Sequence, residues 1–322
     1  MTDIVTVTLN PAVDVFAAVG TVEPTRKLRC SSPVRYPGGG GVNVARVIRR
    51  LGGDCIAVYL AGGATGDRLT SMLAEEAVPS MPIEIRGETR ENFTVREASS
   101  GREFRFVLPG PEVSPEEIAA CEGRIRTAAA SCHYLVLSGS LPAEAPADTW
   151  ARIARAAGTA RARIVLDTSG SALAAALILG AWLVKPSLNE LSELAGRELS
   201  TEPECIDAAR AIVKRGAVEI VALTLGERGA IVVTSNQVLR APAVQVKVRS
   251  AVGAGDSFLA GFVLAISQGE PMAEALNVAM AAAAATVSSA GNALCERKEV
   301  ERLCQSPTQR PAAAWLARDS TP

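Results

Sequence analysis

The sequence predicts an α/β fold in which a mostly parallel central sheet is flanked by helices and a small second β-sheet stands outside it. Two observations point there. From about residue 114 onward, short apolar runs alternate with longer stretches of helical periodicity. That is the pattern of strand–helix–strand crossovers, which cover both faces of a parallel sheet. Residues 90–108 break it: Phe93 and Val95, then Phe104, Phe106 and Leu108, alternate with polar residues on either side of Ser99-Ser100-Gly101, which reads as a β-hairpin. The 322 residues suffice for one large α/β domain or two smaller ones.

The elements follow in order. Val5, Val7 and Leu9 alternate as in a strand, and Asn10-Pro11 ends it. Residues 13–19 and 28–36 read as further strands. Gly38-Gly39-Gly40-Gly41 opens a helix in which Val44, Val47, Ile48 and Leu51 recur at helical spacing. Arg46, Arg49 and Arg50 are expected on its outer face, and Gly52-Gly53 closes it. A strand over 55–61 and a helix over 67–77 come next. In the hairpin, Arg90, Asn92, Thr94 and Arg96 share one face of the first strand. With the strands before residue 37 it would form a small sheet whose apolar face needs cover, from the main domain or from a second copy. Further strands read at 134–137, 163–167, 181–184, 220–225 and 230–234. Helices read at 115–130, 146–158, 172–178, 189–195, 204–215, 257–268 and 273–289. The tail, with Pro307 and Pro311 among polar residues, reads as a poorly ordered extension, although Trp315 and Leu316 could dock.

Composition removes several classes of function. Formal charge is −1 with both signs interspersed, so no nucleic-acid or anionic-membrane surface is expected. Seven cysteines carry no C-x-x-C pair; reduced cytosolic thiols are expected rather than a disulfide framework or a zinc site. The N-terminus lacks the basic and apolar regions of a secretion signal, and the longest apolar stretch, 279–287, is too short to span a bilayer. The one histidine, His133, precedes an apolar run and reads as a structural residue at a strand edge. Carboxylates, amides and cations must therefore carry any catalysis.

The segment Val252-Gly253-Ala254-Gly255-Asp256-Ser257 runs straight into an apolar helix. Unpaired amides at a helix start bind anions, and glycines admit a phosphate closely. A carboxylate beside such a site can deprotonate an alcohol that attacks a phosphoryl group. Read alone, Asp256 serves equally well as a helix cap. Neither G-x-x-x-x-G-K-[ST] nor a full G-x-G-x-x-G is present. The other loops that follow strands include Asn10 to Asp14, the four glycines, and Ser138-Gly139-Ser140-Leu141-Pro142. Such loops line the ligand crevice of an open α/β sheet.

Pro37-Gly38-Gly39-Gly40-Gly41-Val42-Asn43-Val44-Ala45 and the 252–257 segment, at this separation, resemble the paired signatures of the PfkB (ribokinase-like) family of sugar kinases, over about residues 4 to 304. Within it the chain is similar to the bacterial minor 6-phosphofructokinases. The 1-phosphofructokinase and tagatose-6-phosphate kinase groups typically carry lysine where Gly40 stands.

The resemblance implies a ribokinase-like three-layer fold in the cytoplasm. Residues 1–12, 38–86 and 110–304 would form the kinase body and 13–37 and 87–109 a β-lid through which two copies dimerise. Residues 305–322 would be the extension. It implies transfer of the ATP γ-phosphoryl group to fructose 6-phosphate, with fructose 1-phosphate and tagatose 6-phosphate as alternative acceptors. Asp256 would be the base, expected with a lowered pKa at its helix start, and Gly253, Ala254 and Gly255 the anion hole. Asp14, Gly39, Gly40 and Asn43 would hold the sugar, Lys27, Arg90 and Arg105 its phosphate, and Ser140 would be a further substrate contact. Lys185, Thr224, Gly226 and Gly229 match the ATP side. Glu190 matches the N-x-x-E glutamate that organises Mg²⁺ through water, with Ser187 in place of the asparagine. Ser250, Val252 and Gly291 match backbone positions around a monovalent cation such as K⁺. The rival readings are a non-catalytic sugar-phosphate sensor, suggested by Ser187, and a nicotinamide dehydrogenase, which lacks its fingerprint.

Overall fold

Alternation with period two sorts the apolar residues of the central strands into two separate cores. The computed structural model describes residues 3–130, 132–157, 162–289, 291 and 293–305. Its strands are β1 (Ile4–Thr8), β2 (Ala12–Val19), β3 (Val34–Gly38), β4 (Cys55–Ala61), β5 (Ser80–Glu84), β6 (Arg90–Glu97), β7 (Glu103–Phe106), β8 (Tyr134–Ser138), β9 (Arg163–Asp167), β10 (Ala181–Val184), β11 (Val218–Thr224), β12 (Ala230–Val233) and β13 (Val238–Ala241). Its helices are α1 (Gly40–Arg50), α2 (Gly63–Glu75), α3 (Pro115–Ala129), α4 (Thr149–Ala157), α5 (Gly170–Leu179), α6 (Leu188–Ala195), α7 (Glu202–Lys214), α8 (Ala254–Ser267), α9 (Met272–Ser288) and α10 (Arg297–Cys304).

Nine strands form one sheet in the order β13-β12-β11-β10-β9-β8-β1-β4-β5. Its pairings are parallel except those of β12 with β11 and β13, which are antiparallel. Ile4, Cys55, Ala57, Tyr59, Tyr134 and Val136 point to one face and pack with α1, α2, α8, α9 and α10. Val5, Val7, Val58, Leu60, Leu135 and Leu137 point to the other and pack with helices α3 to α7. The alternation therefore builds the expected three layers, helices on each side of a sheet. Among the described residues no helix is long and apolar enough to cross a membrane.

The second sheet has the order β3-β2-β6-β7. Here β2 runs antiparallel to β3 and parallel to β6, and β6 and β7 form the hairpin. One face turns Arg90, Asn92 and Arg105 toward a cavity. On the other, Phe93 and Phe106 are exposed, and Leu108 is exposed just after β7.

Several expectations change. Residues 28–33 are not strand; β3 begins only at Val34. Strands β5 and β13 and helix α10 escaped the periodicity reading. Helix α8 begins at Ala254, three residues before the expected start. Arg46, expected outside, is the reverse: its side chain is 1% exposed and paired with Glu76. His133 sits at the edge of β8, exposed and paired with Asp3. Residues 306–322, with Trp315 and Leu316, lie outside the described residues.

Candidate active site

Strand β1 lies between β4 and β8, so the chain leaves it on one side and later returns on the other. That reversal opens a crevice at the carboxyl ends of the strands. A cavity of about 310 Å³ occupies it, bounded by the tetraglycine segment, the loop after β8, and the inner face of the small sheet. Glycines are needed here by close approach. A Cβ at Gly40 would lie 2.3 Å from Ser138 Oγ, and one at Gly38 would lie 2.5 Å from Asp14 Oδ2. Thr8 Oγ1 accepts the Val42 amide at 2.9 Å and fixes the start of α1. Asn92 Nδ2 donates to Asp14 Oδ1 at 2.9 Å. Arg90 donates to the carbonyls of Leu108 and Asn10, each at 2.9 Å. Its Nε is buried without a hydrogen-bond partner among the described residues. Asn10 Nδ2 donates to Ser140 Oγ at 3.2 Å.

The N-terminal turn of α8 forms the far wall. Gly253 caps it at φ +76°, a left-handed conformation that suits glycine. The first helical bond runs from Ser257 N–H to the Gly253 carbonyl at 2.9 Å, so the amides ahead of it have no acceptor within the helix. Asp256 Oδ2 accepts from Asn43 Nδ2 at 2.8 Å. Burial, then the neighbouring Asp167 charge, pushes the Asp256 carboxyl up to about 6, against the pull of the Asn43 hydrogen bond and Lys185. This overturns the expected lowering: removal from bulk water outweighs the helix dipole.

Asp167, at the end of β9, went unnoticed in the sequence although it lines the same cavity. Lys185 Nζ meets its Oδ1 at 3.0 Å, with both side chains nearly buried. A carboxylate closing a parallel strand, in Asp167-Thr168-Ser169, was the available signal. Lys185 stands behind the turn that starts α8, its Nζ 3.5 Å from where a Cβ on Gly255 would be.

The turn is also a partition. Gly253 and Asp256 face the smaller cavity. Ala254 and Gly255 face a second cavity of about 670 Å³ with Ser187, Thr224, Gly226 and Gly229. Val244, Phe258 and Met280 give that second cavity an apolar wall. Two compartments of different chemistry thus meet across four residues of backbone.

A sequence model described as pfkB family carbohydrate kinase matches residues 1–299. The chain belongs to the pfkB family of carbohydrate kinases. It is 40% identical over 309 residues to the ATP-dependent 6-phosphofructokinase isozyme 2 of Mycobacterium tuberculosis, covering 95% of this chain and 91% of that protein. The crystal structure of phosphofructokinase-2 from Escherichia coli in complex with potassium matches with a TM-score of 0.90 at 37% identity, and that in complex with fructose-6-phosphate with 0.89 at 36%. Each match covers 99% of this chain and 100% of the other.

The remaining site residues of this pfkB kinase fall into three groups. Ser187 and Glu190 form a capping box on α6: the Ser187 amide donates to Glu190 Oε2 at 2.7 Å and Ser187 Oγ accepts the Glu190 amide at 3.4 Å. Glu190 faces the smaller cavity and Ser187 the larger. Lys27 is exposed in the loop between β2 and β3 and lines neither cavity, so this chain does not bring it to Arg90 and Arg105. Ser250 Oγ donates to Glu103 Oε2 at 3.1 Å. Val252 lines the smaller cavity, and Gly291, at φ +61°, packs against Phe16 and Tyr36. Residues 290 and 292 beside Gly291 lie outside the described residues.

Proposed function

We propose that this kinase transfers the γ-phosphoryl group of ATP to the C1 hydroxyl of fructose 6-phosphate, giving fructose 1,6-bisphosphate and ADP. The observation that carries the reading is the partition: one helix start exposes a carboxylate to a polar cavity and amides to a larger, apolar-walled one. Asp256 takes the hydroxyl proton, the freed oxygen bonds to the γ-phosphorus, and the bond to the β,γ-bridging oxygen breaks with its electron pair leaving on ADP. Amides of Gly253, Ala254 and Gly255 hold the charge on the transferred group. Asp14, Asn43 and the backbone of Gly39 and Gly40 hold the sugar. Arg90, Arg105 and Ser140 face its phosphate end, where the two arginines supply cations to the cavity.

Adenine fits the apolar wall of the larger cavity, with Thr224, Gly226 and Gly229 around the nucleotide and Lys185 behind the phosphates. Mg²⁺ arriving with ATP neutralises phosphate charge. Glu190 fits it through water, because Ser187 engages only one of its oxygens. Ser250, Val252 and Gly291 are the candidates for a K⁺ site. We assign residues 13–37 and 87–109 to a lid that joins two copies into a homodimer, and 1–12, 38–86 and 110–304 to the kinase body. The cytoplasm is the compartment that suits seven free cysteines, six of them buried.

Fructose 6-phosphate is favoured by the names of the relatives and by Gly40, where a lysine Cβ would collide with Ser138. Coupled assays of ADP release across fructose 6-phosphate, fructose 1-phosphate and tagatose 6-phosphate test this. The first is expected to show the highest kcat/KM, by about tenfold or more. Asp256→Asn is expected to lower kcat by about 100-fold or more while both substrates still bind. Unchanged turnover would remove Asp256 as the base.

A further inference from the structure

Arg46 lies one turn after Asn43 on α1, with its guanidinium buried. Such a group is costly to bury unless its donors are engaged. Nε donates to Glu76 Oε2 at 2.9 Å and Nη2 to Glu76 Oε1 at 2.6 Å, a bidentate fork. Nη1 turns the other way. It donates to the carbonyl of Pro37, just ahead of the tetraglycine, at 2.8 Å and to Asn43 Oδ1 at 3.3 Å. Asn43 then donates through Nδ2 to Asp256. The path from Glu76 through Arg46 and Asn43 to Asp256 is therefore continuous.

An amide held this way has one stable orientation. Turned over, it would set its NH₂ against the guanidinium and its oxygen against a carboxylate. Arg49 and Arg50 do not share this arrangement. Arg49 donates to the Gly53 carbonyl, and Arg50 to the Leu294 carbonyl and to Glu76. Glu76 thus keeps a cation in Arg50 without Arg46, and balancing Glu76 does not by itself require Arg46.

We propose that Arg46 is a positioning residue for phosphoryl transfer: through the Asn43 amide it fixes the orientation of the Asp256 carboxylate, and through Pro37 it holds the tetraglycine edge of the sugar site. The inference rests on the reading of Asp256 as the base. The groups facing Asp256 are Asn43 from α1, Asp14 from β2, Asp167 at the end of β9 and Lys185 after β10. Those facing Arg46 are Glu76, Arg50 and Asp14. Substituting Arg46 leaves all the others in place.

The experiment compares the parent with Arg46→Met and Arg46→Lys on fructose 6-phosphate. Arg46→Met is expected to lower kcat about tenfold or more, since small errors in placing a base are expensive. KM for ATP should stay within about twofold, because Arg46 acts through Asn43 and Pro37 and neither lines the larger cavity. The acid limb of kcat should move upward by about half a pH unit, as Asp256 loses an aligned donor to its charged form. Arg46→Lys, which keeps one cationic donor, should recover part of kcat. If Arg46→Met does not fold, Arg46→Met with Glu76→Met removes the buried pair together and is read the same way. A folded variant with parental kcat and an unmoved acid limb would overturn the proposal. Asp256→Asn, run beside it, separates the two failures. An active Asp256→Asn sinks the assignment of the base. An inactive one beside a parental Arg46→Met sinks the role of Arg46 alone.

Discussion

Asp256 is pulled in opposite directions. The start of α8 favours its charged form, while burial beside Asp167 disfavours it and wins, leaving the carboxyl at about 6. As the proposed base it would act only when deprotonated, so kcat is expected to hold above pH 6 and to fall about tenfold per unit below it, measured as a pH profile at saturating substrates. The sign for stability is the reverse. Unfolded, the group titrates near 3.8. Between that value and about 6 the folded state keeps a proton that the unfolded state has released, so stability is lost as pH rises through this window. Asp256→Asn is therefore expected to melt about 2 °C or more above the parent at pH 7.5, an advantage that disappears near pH 4. The sequence located this residue from the small-residue turn before it. Its pKa was not legible, because it depends on burial in the folded chain and on Asp167, Asn43 and Lys185, which come from distant parts of the sequence. Asp167 was missed for the same reason: its partner Lys185 follows the adjacent strand β10, and only the sheet order brings the two together.

Among the elements, those rich in apolar residues were readable and those at the margins were not. Strands β1, β4, β8 and β9 are short apolar runs, α1 is strongly amphipathic, and α9 is a long alanine-rich stretch buried on most sides. Strand β5 holds Pro82 and follows Pro79, which argues against a strand except at a sheet edge, where it lies. Strand β13 is a short edge at the other end, and α10 is built mainly of charged residues. Arg46 was misplaced because charge predicts exposure unless a partner is known, and Glu76 arrives from the end of α2. Helix α8 shows what an element end contributes beyond its period. Gly253 holds a left-handed turn, and a Cβ there would lie 2.5 Å from Leu294 Cδ2. Gly253→Ala therefore meets about 1–2 kcal/mol of backbone strain besides that contact. The relief available is a shift of the turn, which moves the amides and Asp256 together. The expected result in steady-state kinetics is kcat reduced about tenfold or more with a folded protein by circular dichroism. Parental kcat would show that the turn tolerates the change without moving its amides.

For the molecule as a whole, the small sheet has two unlike faces, and the one that buries Val13 and Val15 in the main core leaves its hairpin half uncovered. The inner face gives Arg90, Asn92 and Arg105 to the smaller cavity. On the other face, the cross-strand pair Phe93 and Phe106 is 38% and 55% exposed, with Leu108 exposed just after β7. An apolar patch of this kind on a sheet is a site for association. The alternation of 93, 95, 104 and 106 made the need for cover legible, whereas the parallel pairing of β2 with β6, which joins two distant segments into one surface, was not. A second copy placed symmetrically would cover the patch with its own. Because β6 carries Phe93 outward and Arg90 and Asn92 inward, the proposed interface and the proposed sugar site would share one strand. Phe106→Asp puts a charge into that patch while leaving the cavity residues unchanged. It is expected to convert a dimer into a monomer by light scattering and to raise KM for fructose 6-phosphate about fivefold or more, with KM for ATP unchanged. A dimer of unaltered mass after the substitution would place the association surface elsewhere on the molecule.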